Sequence, residues 1–192
     1  MFVLDASNIK NARITIFLIT FNSLLYFFFS FGLEDVFYLL VQINSKVIYD
    51  LELWRLVTSM FLHGDFLHLF SNMFSLLIFG SYVELSFSKY KFVLIYFISG
   101  FLGNLLTLFL LPSNIISLGA SGAIFGLIGA ALSILITDRN NPLIILGLIY
   151  AFYFVITSFL PGINYFAHIF GLLGGFATGY IFRRNSRKEQ PY

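Results

Sequence analysis

FVLIYFISGFLGNLLTLFLLPSNIISLGASGAIFGLIGAALSILIT, residues 92–137, runs for 46 positions without one charged side chain. A helix needs roughly 20 apolar residues to cross a bilayer, so this stretch is long enough to cross twice. Pro112-Ser113-Asn114 interrupts it. Proline cannot continue a helix, and Ser and Asn favour turns. Two spans are therefore predicted, 92–111 and 121–137. On the N-terminal side, the 20 uncharged residues 14–33 predict a first span. Residues 66–83 predict a second, less apolar one that carries His68, Ser71 and Asn72. On the C-terminal side, 43 residues from Asn140 to Phe182 lack formal charge and break at Pro161-Gly162. They predict a fifth span, 142–160, opening on Pro142 in a favourable first-turn position, and a sixth, 165–182.

Composition supports the same reading. Of 192 residues, 59% are hydrophobic, 20% aromatic and only 10% charged, against about 25% charged in soluble domains. Lipid must be the solvent, and the length suits a single membrane domain covering 1–192. A net charge of +2 is too small to suggest nucleic acid. The absence of cysteine excludes disulfides, thiol catalysis and thiolate metal sites. The first apolar run is longer than a signal-peptide core of 7–15 residues, so it reads as a retained helix. Residues 34–65 hold Glu34, Asp35, Lys46, Asp50, Glu52 and Arg55 around a short apolar run. They read as an interfacial or re-entrant external loop. With six spans, nine basic residues (Lys10, Arg13, Lys89, Lys91, Arg139, Arg183, Arg184, Arg187, Lys188) fall on one side and two, Lys46 and Arg55, on the other. The basic side is expected to be cytoplasmic, with both termini and the polar tail 185–192 there.

Polar residues inside spans are costly and mark function. Ser121 opens the fourth span between Gly119 and Gly122. A lone serine there also reads as a bond to its own helix backbone. A helix start, however, carries unpartnered, partly positive N–H groups, which suit a nucleophile whose intermediate is an anion. His168 sits in the sixth span, where a lone histidine could be a proton relay, a ligand or a bridge between helices. Gly171, Gly175 and Gly179 recur every four residues behind it, and Gly122, Gly126 and Ala130 match that spacing in the fourth span. Two such ridges let helices pack closely. If they meet, Ser121 and His168 come together one turn outward, and the imidazole could act as general base. Phe125 shares the Ser121 face and could stack on His168. No carboxylate stands between Ser121 and His168 except Asp138, at the other membrane face, so the arrangement reads as a dyad. His68 and Asn72 share one face of the second span and could donate to an oxyanion with the Ser121 N–H, or simply bond helices together. His63 and His68 lie five apart, not on one helix face, and no H-E-x-x-H occurs. No metal or other cofactor is expected.

Assembled in order, these pieces resemble the rhomboid family of intramembrane serine proteases. Trp54-Arg55 lies in the first external loop. His63 precedes His68-Leu-Phe-Ser-Asn72, an H-x-x-x-N. Glu84 ends the second span. Gly119-Ala-Ser121-Gly122 is a G-x-S-G, and Ala167-His168 with Gly171 and Gly175 forms A-H-x-x-G-x-x-x-G. The resemblance covers about residues 51–182. It implies an all-α, six-transmembrane-helix bundle with a membrane-dipping first external loop, in the family's minimal form. It implies Ser121 as nucleophile, His168 as general base and acid, and His68, Asn72 and the Ser121 N–H as oxyanion stabilisers. Gly119, Gly122, Phe125 and Arg55 support them, Arg55 bracing the loop with Glu84 as one possible partner. The implied substrates are single-pass membrane proteins cut near the outer face at a small residue.

Hydrolysis needs water, which a bilayer core lacks. A wet cavity open to the outer side is therefore required. The apolar fifth span, lacking a small-residue ridge, is the expected lateral gate, capped by the loop after Pro161. The expected home is the cell (inner) membrane. A rhomboid-like chaperone or adaptor without catalysis is the alternative reading. A transporter using His168 and Asn104 would need a broken helix and an internal repeat, and neither is evident.

Overall fold

The computed structural model describes residues 10–137, 149, 152, 153, 155–159 and 163–188. Four of its long helices start where a polar group satisfies first-turn N–H groups. Helix α1 (Arg13–Phe29) is capped from elsewhere in the chain: Glu84 Oε1 accepts from Ile14 N at 3.0 Å, and Oε2 from Thr15 N and Thr15 Oγ1, both at 2.8 Å. Asp65 accepts from His68 N at 2.8 Å and opens the helix Phe66–Ser86, which contains a π turn at Leu76–Gly80. Ser88 accepts from Lys91 N and opens Lys89–Leu110. That cap explains why this helix starts three residues before the predicted 92. Ser121–Thr137 follows the break at Pro112. Asn164 Oδ1 accepts from Ala167 N at 3.1 Å and opens Tyr165–Lys188, whose last turns carry Arg183 and Arg184 past the predicted end at 182.

The segment after α1 folds into short pieces. They are α2 (Glu34–Leu40), strand β1 (Gln42–Ile43), α3 (Asn44–Tyr49), α4 (Arg55–Thr58) and a 3₁₀ turn at Ser59–Phe61. The long helices that follow are then α5 (Phe66–Ser86), α6 (Lys89–Leu110), α7 (Ser121–Thr137) and α8 (Tyr165–Lys188). Strand β1 pairs antiparallel with β2 (Ile116–Ser117), Gln42 opposite Ser117. Buried amides pin the segment to α6. Gln42 Nε2 donates to Asn104 O and to Asn44 Oδ1 at 3.1 Å, and Asn104 Nδ2 donates to Leu56 O at 2.9 Å and Ser59 Oγ at 3.1 Å. The segment's backbone is tied in as well, Asn44 N donating to Ile115 O at 3.1 Å and Ser45 N to Ser113 O at 2.7 Å.

Helices α5, α6 and α8 are long and apolar enough to cross a membrane, and α1 and α7 are shorter apolar helices of 17 residues. The predicted fifth span, with its gate and cap, lies largely outside the described residues. Helix α7 is buried from Gly122 through Leu135 and so forms the centre of the bundle. Its Gly126 faces the Gly175 backbone, Gly122 faces Gly171, and Ala130 faces Gly179. The two small-residue ridges therefore meet in matching register. A Cβ at Gly171 or Gly175 would overlap the facing carbonyl.

Candidate active site

The ridge contact between α7 and α8 sets what lies one turn beyond it. Ser121 Oγ and His168 Nε2 are 2.7 Å apart. The Phe125 ring stacks on the imidazole, centroids 4.2 Å apart and planes 10° apart. His168 Nδ1 faces Ser158 Oγ at 2.8 Å. Ser158 is buried and falls within the predicted fifth span, 142–160.

The turn before Ser121 is shaped by Gly119. Its φ is +119°, a region in which L side chains are strained. A Cβ there would also lie 2.7 Å from His68 Nε2. Glycine thus serves twice: it permits the turn and lets the His68 imidazole approach the serine loop. Gly119 N donates to Ser59 O at 2.9 Å, tying the turn to the folded segment ahead of α5. Among the described residues the N–H groups of Ser121, Gly122 and Ala123 have no acceptor, whereas Ile124 N donates to Ala120 O at 3.0 Å.

A cavity of about 570 Å³ connects these groups. His68, Asn72, Gly119, Ser121, Gly122, Phe125 and His168 line it, along with Asn104, Ser158 and Asn164. Liquid water occupies about 30 Å³ per molecule, so there is room for a stretch of peptide and several waters. Asn72 Nδ2 donates to His68 O at 2.8 Å. An amide has a second N–H, which leaves Asn72 a donor to offer. His63, just before α5, is buried with its ring edge-on to His68, centroids 5.1 Å apart. Sequence spacing did not suggest that contact, because His63 precedes the helix and reaches His68 through the turn at Gly64. Burial, and then the neighbouring His68, push the His63 pKa down to about 3. Among the described residues no group of three His, Asp or Glu side chains is placed to hold a metal ion.

Arg55 lies outside the cavity. Its Nη1 donates to Tyr38 O at 2.6 Å and Val41 O at 2.7 Å, and its Nε pairs with Glu52. Glu84 is not its partner. Glu84 sits at the opposite end of the bundle, where it caps α1. Both residues brace structure, each through neighbours that sequence order does not reveal.

Two contributors escaped the sequence reading. Asn164 joins α8 to α6 and β2: Nδ2 donates to Thr107 Oγ1 and Ser117 Oγ, each at 3.0 Å, while Oδ1 caps the helix. An Asn three residues before a helical N–H is a capping pattern that could have been recognised. Ser158 had no such pattern, since nothing in its flanks distinguishes it from any polar residue at a helix end.

The sequence model of one family, described as the Rhomboid domain, matches residues 50–185. The chain belongs to the rhomboid family. It is 35% identical over 188 residues to "Putative rhomboid protease YdcA" of Bacillus subtilis, covering 92% of this chain and 90% of that one. It is 44% identical over 142 residues to "RHOMBOID-like protein 6, mitochondrial" of Arabidopsis thaliana, covering 71% of this chain and 46% of the relative. "Inactive RHOMBOID-like protein 8" of the same plant is 39% identical over 127 residues, 64% of this chain and 36% of that one. The chain thus spans less than half the length of these plant relatives. Its family and its apolar helices make it an integral membrane protein.

Proposed function

We propose that this rhomboid-family chain is a serine endopeptidase that cleaves single-pass membrane proteins within the bilayer. The observation that carries the reading is the 2.7 Å approach of Ser121 Oγ to His168 Nε2 in a cavity also lined by His68, Asn72, Asn104 and Asn164. His168 takes the hydroxyl proton as Ser121 Oγ attacks the scissile carbonyl carbon. The carbonyl oxygen becomes an anion and receives hydrogen bonds from the Ser121 N–H, His68 and Asn72. His168 then gives its proton to the leaving amine. The remaining acyl-enzyme ester is hydrolysed by water through the same steps, returning Ser121 to its hydroxyl form.

Helix α7 has 17 residues, so it rises only about 26 Å against a hydrocarbon core of about 30 Å. Its Ser121 end is thereby sunk below one surface, where water reaches it through the cavity. We assign six spans, the fifth within 142–160, and place the segment 34–65 in the outer interface as a membrane-dipping element. The Lys/Arg-rich end, including both termini, faces the cytoplasm, and the cell membrane is the assigned location.

A non-catalytic adaptor is the competing reading, and one relative is named inactive. An intact Ser121–His168 contact favours the protease. The test is Ser121→Ala in purified protein in lipid. It should abolish cleavage of a single-pass substrate and block labelling by a fluorophosphonate, without loss of fold. Asn72→Ala should lower the rate about 10²–10³-fold. Wild-type protein that neither labels nor cleaves would support the adaptor.

A further inference from the structure

His168 has two ring nitrogens, and the mechanism above employs one. Nε2 faces Ser121 Oγ at 2.7 Å, and Nδ1 faces Ser158 Oγ at 2.8 Å. A neutral imidazole carries a single N–H proton, so one nitrogen donates and the other accepts. A base must turn its lone pair to the serine hydroxyl. The proton then belongs on Nδ1, where it needs an acceptor. In a Ser-His-Asp triad a buried carboxylate fills that place. Here the atom in reach is the Ser158 hydroxyl oxygen. The cavity's own carboxylate, Asp65, has its Oδ1 bonded to His68 N.

Geometry limits what else could hold the ring. Phe125 lies nearly parallel to the imidazole. A stacked ring resists tilting, but it leaves rotation within the plane free. Contacts at both Nδ1 and Nε2 remove that freedom. Ser158 is 2% exposed, so water competes poorly for the Nδ1 proton.

We propose that Ser158 is a positioning residue whose hydroxyl oxygen accepts from His168 Nδ1–H. It thereby holds the ring in the tautomer that leaves Nε2 as base toward Ser121. The proposal rests on the dyad reading given above. No bond is made or broken at Ser158. When His168 takes the Ser121 proton, the ring becomes a cation and the Nδ1–H donor is charged. Charge-assisted hydrogen bonds are roughly twice as strong as neutral ones. Ser158 therefore stabilises the transition state more than the ground state, and its removal should act on kcat rather than KM.

The experiment uses the full chain in lipid nanodiscs, with a single-pass substrate for rates and ¹⁵N-histidine labelling for the ring. His168→Ala assigns the His168 resonances by their loss. Wild-type His168 should show the Nδ1–H tautomer. Ser158→Ala should show a tautomer mixture and a kcat lower by about 10- to 100-fold at unchanged KM. Ser158→Thr, which retains the hydroxyl, should restore most of both. A wild-type ring protonated at Nε2 overturns the proposal even if Ser158→Ala does not fold. So does Ser158→Ala with wild-type kcat, or a rate loss with the tautomer unchanged. If Ser121→Ala leaves cleavage intact, the protease reading fails. The tautomer comparison then decides separately whether Ser158 holds the ring.

Discussion

Gly103→Ala tests whether close backbone packing holds the reactive pair together. Gly103 on α6 faces the first turn of α8. An added Cβ would lie 2.6 Å from Ala167 O and 3.2 Å from Ala167 Cα. Ordinary contact begins near 3.4 Å, so the backbones must part by about 0.8 Å. Helix α6 is anchored by Asn104, which donates to Leu56 O and Ser59 Oγ, so α8 should yield. Ala167 is bonded to His168, and the shift is passed directly to the imidazole. A 2.7 Å hydrogen bond displaced by most of an ångström leaves hydrogen-bonding range. A misplacement of about 1 Å costs on the order of 10² in rate, while overpacking costs about 1–3 kcal/mol of stability. Cleavage of a single-pass substrate in lipid should therefore fall about 100-fold in protein that still melts cooperatively. Gly64→Ala is the control, since its Cβ meets only Leu118 Cδ1 at 3.8 Å, and it should keep wild-type activity. A Gly103→Ala protein with wild-type rate and melting temperature would refute the reasoning.

Other perturbations follow from single contacts. Glu84→Gln keeps one acceptor oxygen but loses the charge at the α1 N-terminus, so thermal melts should show a loss of about 1–2 kcal/mol. Glu84→Ala should cost more, because the N–H groups of Ile14 and Thr15 lose their acceptors. Arg55→Met strands Glu52 and leaves the carbonyls of Tyr38 and Val41 without their donor, a change expected to cost about 3–5 kcal/mol. A melt at full stability would show that Arg55 braces nothing. Folding holds His63 neutral, its pKa lowered from 6.5 to about 3. Below pH 6.5 the unfolded chain binds more protons, so stability is full above that value and falls as pH drops toward 3, by about 1.4 kcal/mol per pH unit. His63→Leu should flatten the melting profile across that window, and an unchanged slope would refute the assignment.

Much of the site was legible because it is written in local pattern. Gly122, Gly126 and Ala130 on one helix and Gly171, Gly175 and Gly179 on another share one spacing. When two such ridges pack, their register leaves little choice about which residues meet one turn further on. The polar residues His68 and Asn72 stood out against an apolar helix for the same reason: burying them without purpose is expensive. Helix starts were less legible. The Ser88 cap and the Glu84 carboxylate moved or completed helix ends that charge counting alone placed a few residues away.

Hydropathy and small-residue spacing, read from sequence alone, determined that this chain is a helical membrane protein with a serine and a histidine on two helices whose small-residue ridges share one spacing. Those properties are periodic and local, so they survive without coordinates. Tertiary structure alone decided the partners of the remaining polar groups. Glu84 met Thr15, Arg55 met Glu52 and the carbonyls of residues 38 and 41, His63 met His68, and Ser158 met the far nitrogen of His168. Each pairing depends on which helix ends and turns the whole bundle brings to one level. That outcome is a sum over all packing contacts, and no short stretch of sequence carries it.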